Sequence, residues 1–263
     1  MKKTLSLVLA LMLLALAVTG CARNKAQEER TSLTVGFDAD FPPYGFKGDD
    51  GQYTGFDLEM AQELCNRRGW ELKLQPIDWD SKDMELESGT IDCVWNGFTI
   101  NGREEKYTWT IPYMNNKQIF IAAKDSGIAS FDDLAGRIVT AQADSAALHA
   151  LEDEDNAELL NSFKELVVSS QYNAAFMDLE AGAVDAIAMD IGVAEYQIAG
   201  KEDQYVILDE PLLNEQYGIG FKLGNTELRD LVQETLIEMA EDGTFKAISE
   251  KWFDGRDVGI IGK

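Results

Sequence analysis

The chain has 263 residues, 23 of them basic and 47 acidic, for a formal charge of −24 at pH 7. That balance argues against nucleic acid, whose affinity rests on Lys and Arg meeting phosphates, and against loose adsorption to anionic lipid. Three Cys exclude a disulfide-built scaffold and a single His disfavours a His-built metal site, so no metal and no cofactor is expected.

Lys2 and Lys3 precede an apolar run from Leu5 to Val18, broken only by Ser6. The run reads as a signal peptide, residues 1–20, and is short for a membrane span. It closes on Val18-Thr19-Gly20-Cys21, which resembles the bacterial lipobox. That resemblance implies a lipoprotein whose Cys21 carries the lipid (palmitate among its acyl chains) and becomes the first mature residue. Ordinary cleavage beside an incidental Cys is the alternative. Residues 21–32 are polar and charged, as a tether requires. The expected location is therefore extracytoplasmic, anchored to the membrane by lipid and not spanning it.

Strands and helices then alternate. Leu33 to Phe37 reads as a strand. Phe56 to Arg68 reads as an amphipathic helix stopped by Gly69. Glu71 to Leu74 alternates like a strand, Ser81 to Ser88 is a helix ended by Gly89, and Ile91 to Trp95 is a buried strand. Asn115 to Phe120 is a crossing segment. Strands are expected at 138–141, 166–169, 205–208 and 217–221. Helices are expected at 145–151, 193–198, 227–241 and 244–252. This alternation implies α/β architecture with mainly parallel sheets. Cys65 falls on a helix and Cys93 on a strand; free thiols and a bridge both remain open.

An internal repeat extends the reading. Leu86-Glu87-Ser88-Gly89-Thr90-Ile91-Asp92-Cys93-Val94 resembles Leu179-Glu180-Ala181-Gly182-Ala183-Val184-Asp185-Ala186-Ile187. In each copy a helix ends on Leu-Glu, Gly takes the left-handed position, and an apolar strand follows. Asn96 follows one strand and Asp190 the other. Ligands of open α/β sheets bind beyond the carboxyl ends of strands, so two such units predict two lobes facing one cleft.

From Leu33 to Phe253 the chain resembles the polar-amino-acid family of bacterial extracellular solute-binding proteins, family 3, the receptors of ABC importers. The resemblance rests on Asp38-Ala39-Asp40-Phe41-Pro42-Pro43-Tyr44, Gly55-Phe56-Asp57-Leu58, Asp78-Trp79-Asp80, Asn96-Gly97-Phe98-Thr99-Ile100, Pro112-Tyr113, Val184-Asp185-Ala186 with Asp190, Tyr217-Gly218-Ile219, and Asp242-Gly243-Thr244-Phe245 leading to Lys251-Trp252-Phe253. It implies a periplasmic-binding-protein-like type II fold, two α/β lobes joined by a two-crossing hinge. Lobe 1 is expected at 33–118 and 214–263, and lobe 2 at 119–213.

The resemblance also assigns a site. Arg103 grips the ligand α-carboxylate, because a planar guanidinium makes two parallel charge-assisted bonds; a surface Arg within Arg103-Glu104-Glu105-Lys106 is the alternative. The loop before it is one residue shorter than the family commonly has. Asp190 accepts the α-ammonium, caps the following helix, or does both. Ser145 opens a lobe-2 helix whose backbone N–H groups face the carboxylate. Asp144 stands where the family often has Gly. Ala146 stands where a second hydroxyl is common, leaving only its N–H. Phe41 and Trp79 form aromatic walls or pack in the core. Asp38 reaches the ligand side chain, and Asn96, Gly97 and Thr99 make polar contacts. Trp95 and Phe98 stay ambiguous between wall and core; Tyr44 and Phe56 are packing residues. His149, the sole imidazole, has no partner in sequence and reads as a surface or packing residue.

The expected function is capture of a free amino acid with a polar or cationic side chain by a monomer that presents it to ABC permease subunits. The alternative is an exported enzyme on the same fold, resembling the cyclohexadienyl or arogenate dehydratases.

Overall fold

The structure, a computed structural model, describes residues 30–263. The expected leader, Cys21 and most of the tether lie outside the described residues.

Two mixed sheets form the frame. The first runs, in spatial order, Glu71–Pro76, Ser32–Phe37, Cys93–Val94, Gly220–Phe221 and Thr108–Trp109. The second runs Glu165–Ser169, Ile138–Gln142, Ala186–Asp190, Met114–Ala123 and Tyr205–Ile207, with Leu213–Tyr217 also paired to Met114–Ala123. In each sheet three neighbouring strands are parallel. The others are antiparallel. The expectation of mainly parallel sheets thus holds for one side of each. The antiparallel strands are those connected to the crossings, where the chain arrives from the other lobe and runs the opposite way.

The helices follow their sequence signals. Phe56–Arg68 ends at Gly69, whose φ of 67° lies in the left-handed region. That conformation costs glycine nothing, because there is no Cβ to strike the preceding carbonyl. Lys82–Ser88 follows a short 3₁₀ turn, Trp79–Ser81, and stops at Gly89. Thr226–Glu241 and Thr244–Trp252 close the chain against the first lobe, where Leu236, Met239, Phe245 and Ile248 are buried. Each such side chain, removed from water, contributes roughly 1.5–3 kcal/mol. A second apolar cluster, including Phe120, Val139, Leu148 and Ala186, fills the second lobe.

The repeat has one physical cause in both copies. Asp92 accepts a hydrogen bond from Thr34 N–H at 2.8 Å, and Asp185 accepts one from Ile138 N–H at 2.8 Å. The Asp of each unit thereby satisfies a backbone donor at the start of the neighbouring parallel strand, a group that would otherwise be left without a partner.

Several elements differ from expectation. The strand expected at 91–95 pairs only at Cys93–Val94, because the chain turns out of the sheet at Asn96-Gly97. Gly97 has a φ of 58°, and its N–H donates to the buried Asp57 carboxylate at 2.6 Å. The crossing segment at 115–120 is a ten-residue strand, Met114–Ala123. Its partner Leu213–Tyr217 pairs with it from Gln118 back to Met114. The small antiparallel sheet of Asp40–Phe41, Gly45–Lys47 and Tyr53–Thr54 and the helix Ala157–Ser162 had no clear sequence signal. Cys65 and Cys93 are buried free thiols. Among the described residues no helix is long and apolar enough to cross a membrane.

Candidate ligand-binding site

Between the lobes lies a small cavity. It is lined by Phe41, Trp79, Asn96, Gly97, Thr99, Arg103, Ser145 and Ala146, all eight expected from sequence, together with Gln118, Gln142 and Tyr172, which were not. Asp38 and Asp190 are buried nearby but do not line it.

The lobe-1 wall is set by a chain of polar contacts. Asp57, near the N-terminus of helix Phe56–Arg68, accepts from Gly97 N–H and from the Tyr113 hydroxyl, the latter at 3.0 Å. Burial pushes the Asp57 carboxyl up to about 7. Asn96 Oδ1 accepts from Asp38 N–H at 3.0 Å. Phe41 and Trp79 present near-parallel rings, 5° between planes with centroids 6.5 Å apart. Both rings line the cavity, so each offers an aromatic face or edge to its occupant. Trp95 and Phe98 are fully buried, as are Tyr44 and Phe56. Phe98 packs edge-on against Trp79 with centroids 5.4 Å apart, so it backs the wall.

Asp38 instead ties the lobes together. One carboxylate oxygen accepts from Gln142 Nε2 at 2.7 Å and the other from Asp40 N–H at 2.8 Å. Burial raises its pKa, and these two bonds offset part of the rise.

Arg103 is 3% exposed. Its Nη2 donates to the Asp144 carbonyl at 2.9 Å and lies 3.1 Å from His149 Nδ1. Nε and Nη1 have no protein partner among the described residues. The guanidinium carbon stands 5.5 Å from the Phe98 ring centroid, within cation–π range. Asp144, in the left-handed region at φ 53°, turns its carboxylate away to Lys82 and to His149 Nε2, the latter at 2.7 Å. Burial raises the Asp144 pKa, but the bonds from His149 and Lys82 outweigh it and hold the carboxyl well below the usual range. The Asp144 carboxylate is therefore paired with Lys82 and hydrogen-bonded to His149. His149 is not an isolated surface imidazole. Its partners come from a loop and the opposite lobe, and no local spacing reveals them. Ser145 caps helix Ala146–Glu152, its Oγ accepting from Leu148 N–H at 3.1 Å.

Behind the hinge end of the cavity lie two buried carboxyls, Asp190 and Glu215. Register places Asp190 opposite Gln118 and Glu215 opposite Asn116. Asp190 accepts from Val193 N–H at 2.9 Å, so it does cap its helix, and it also accepts from Asn116 Nδ2. Glu215, 3% exposed, accepts from Thr99 Oγ1 at 2.8 Å, Gln118 Nε2 at 2.7 Å and Asn116 Nδ2 at 2.6 Å. Burial raises both carboxyls, and the charge of Glu215 raises Asp190 further. Neither forms a salt bridge with a basic side chain among the described residues. Sequence analysis missed Glu215 and Gln118. Their only signal was the alternation of the crossing strands, which puts Asn116, Gln118 and Glu215 on inward positions. Among the described residues no group of three or more His, Cys, Asp or Glu is placed to hold a metal ion.

Two α/β lobes carried on paired crossing strands and closed over a cavity define a two-lobed binding protein. The chain belongs to the bacterial extracellular solute-binding proteins, family 3, which it matches over residues 33–255. It is 34% identical over 241 residues to the L-cystine-binding protein TcyJ of Escherichia coli (strain K12), covering 89% of this chain and 86% of that one. It is 28% identical over 260 residues to the arginine-binding extracellular protein ArtP of Bacillus subtilis (strain 168), covering 97% and 99%. Among solved structures, an ABC uptake transporter substrate-binding protein from Streptococcus pneumoniae with bound histidine superposes with a TM-score of 0.83 at 35% identity, covering 87% and 94%. An ancestral amino acid-binding protein described as a precursor of cyclohexadienyl dehydratase superposes at 0.77 with 32% identity, covering 86% and 97%. The fold is that of the type II periplasmic amino acid-binding proteins.

Proposed function

We propose that this chain captures a free amino acid with a planar polar or cationic side chain and presents it to the membrane subunits of an ABC importer. The observation that carries the reading is Arg103: a buried guanidinium with Nε and Nη1 uncommitted among the described residues, lining a cavity between the lobes that has two buried carboxyls, Asp190 and Glu215, behind its hinge end. A free amino acid has the complementary ends. Its carboxylate takes the open edge of Arg103, with the Ser145 and Ala146 backbone beside it, and its ammonium lies toward Asp190. The parallel Phe41 and Trp79 rings take the side chain, since a guanidinium or imidazole stacks on aromatic faces. Asn96, Gly97 and Thr99 supply further polar contacts. Relatives that bind arginine, cystine and histidine support this class of ligand.

In this reading lobe 1 is residues 33–118 with 214–263 and lobe 2 is 119–213. The protein works as a monomer, held outside the cytoplasm by lipid on Cys21 after removal of residues 1–20. The test is a thermal-shift screen of the purified chain with L-arginine, L-histidine, L-lysine, L-glutamate and L-cystine. A ligand at about one hundred times its Kd adds about 2.7 kcal/mol of native stability. At roughly 2–4 °C per kcal/mol, the midpoint rises several degrees. Absence of a shift with every amino acid overturns the proposal. The dehydratase alternative is separated by assaying prephenate and arogenate turnover. A neighbour described as a dehydratase precursor makes that assay worth running, although that neighbour is itself described as amino acid-binding.

A further inference from the structure

We propose that Gln118 is a ligand-binding residue that accepts a hydrogen bond from the amino acid's α-ammonium, and that Glu215 is the positioning residue that turns its amide for this purpose. The inference rests on the amino-acid-binding reading and deepens it.

Gln118 sits on the first crossing strand, lines the cavity and is 4% exposed. Its Nε2 donates to Glu215 Oε1 at 2.7 Å, while its Oε1 has no partner among the described residues. A buried acceptor left unpaired is costly, because it has given up its hydrogen bond to water. Flipping the amide does not relieve this, because it sets the carbonyl oxygen against a carboxylate oxygen, two acceptors with no proton between them. Glu215 therefore fixes the amide with its donor side on the hinge and its acceptor side unpaired.

The same carboxylate sets Thr99. Its hydroxyl proton is spent on Glu215 Oε2 at 2.8 Å, which leaves the oxygen lone pairs for a donor. One buried acid thus converts two neutral side chains at the cavity into acceptors. Among the described residues Glu215 receives only neutral donors, from Thr99, Asn116 and Gln118. Asp190 lies opposite Gln118 in the strand register, with its oxygens engaged by Val193 and Asn116. Two buried carboxyls without a basic side chain behind two fixed acceptors form a socket for a small cation with several N–H groups. An α-ammonium has that chemistry, with three donors and a positive charge.

The experiment is calorimetric titration of the full chain with three pairs: L-arginine and 5-guanidinopentanoate, L-histidine and imidazolepropionate, and L-cystine and 3,3′-dithiodipropionate. The second member of each pair lacks only the α-ammonium, one group in the first two pairs and both groups in the cystine pair. The readout is the ratio of the two dissociation constants, which a general loss of packing lowers or raises together and so leaves unchanged. For whichever amino acid binds, the wild-type ratio is expected to exceed about 100-fold, from charged hydrogen bonds at roughly 1.5–3 kcal/mol each. Gln118→Leu removes the acceptor. Glu215→Gln keeps the shape but allows Gln118 to present its NH₂ to the ammonium. Each variant is expected to lower the ratio at least tenfold. Should Gln118→Leu fail to fold, the near-isosteric Glu215→Gln carries the test. A wild type that binds an amino acid, with ratios in the folded variants within twofold of it, overturns this inference alone. A wild type that binds no amino acid, in this titration or in the thermal-shift screen, overturns the proposed function and this inference with it.

Discussion

Single residues in this protein act through what is left free on them. Arg103 has one donor committed across the cleft and the rest of its fork open. Arg103→Lys is therefore expected to lose ligand affinity by at least about 100-fold while melting like the wild type, because an ammonium lacks the planar fork. Equal affinity by calorimetry would remove Arg103 from the site. Asp57 makes a prediction about pH. Its carboxyl titrates near 7 when folded, against about 3.9 for an unfolded aspartate. The folded state thus holds more protons through that window, and stability declines as pH rises from about 4 to about 7, by at most about 4 kcal/mol. Asp57→Asn removes that titration while keeping an acceptor for Gly97 N–H. Urea midpoints across pH should flatten in the variant; an unchanged slope would show that Asp57 is not the titrating group.

At the level of elements, the repeated helix–Gly–strand unit does one task twice. Asp92→Ala and Asp185→Ala each strand a backbone N–H and are expected to cost about 1–3 kcal/mol. The two acids lie beside different sheets and share no partner. Their effects should add in the double variant within about 0.5 kcal/mol; strong non-additivity in denaturant melts would contradict two independent units. The turn after the first unit is different in kind. At Gly97 an added Cβ meets the Phe41 ring at 3.0 Å and Tyr217 at 3.1 Å, on a left-handed backbone. Gly97→Ala should lower stability by about 1–3 kcal/mol and weaken ligand binding, because the residue that must move, Phe41, is a cavity wall. Retained affinity would show that the turn does not set that wall.

For the whole molecule, closure is held by polar ties between lobes. Asp38 meets Gln142, Asp40 meets Asn173 at 2.7 Å, Arg256 meets Glu195 at 2.9 Å, and Lys82 meets Asp144. Lys82 is 1% exposed, and burial lowers its pKa against the opposing pull of Asp144. Separating the lobes returns both charges to water, so this pair favours the closed form only through its geometry. Lys82→Met and Asp144→Asn should each reduce the closed population, and with it the apparent affinity, in proportion to the competent fraction. Small-angle scattering should then give a larger radius of gyration without ligand than for the wild type, and the wild-type value with ligand. Identical radii in all three unliganded proteins would show that the pair does not bias closure.

Local physics in the sequence determined the leading features of the frame. Hydrophobic period and flanking glycines defined Phe56–Arg68 and Thr244–Trp252 to the residue, and a nine-position pattern pointed to the two-lobed plan, because helix ends and strand starts depend on neighbours a few positions apart. Motif order also pointed to eight lining residues of the cavity. Only the tertiary structure decided which groups face one another across it. His149 meets Arg103 from 46 positions away, Gln142 meets Asp38 from 104, and Gln118 meets Glu215 from 97. Such pairs are specified by strand register and by how the lobes close, and a polar side chain on a crossing strand carries no local mark of the partner that will fix its orientation.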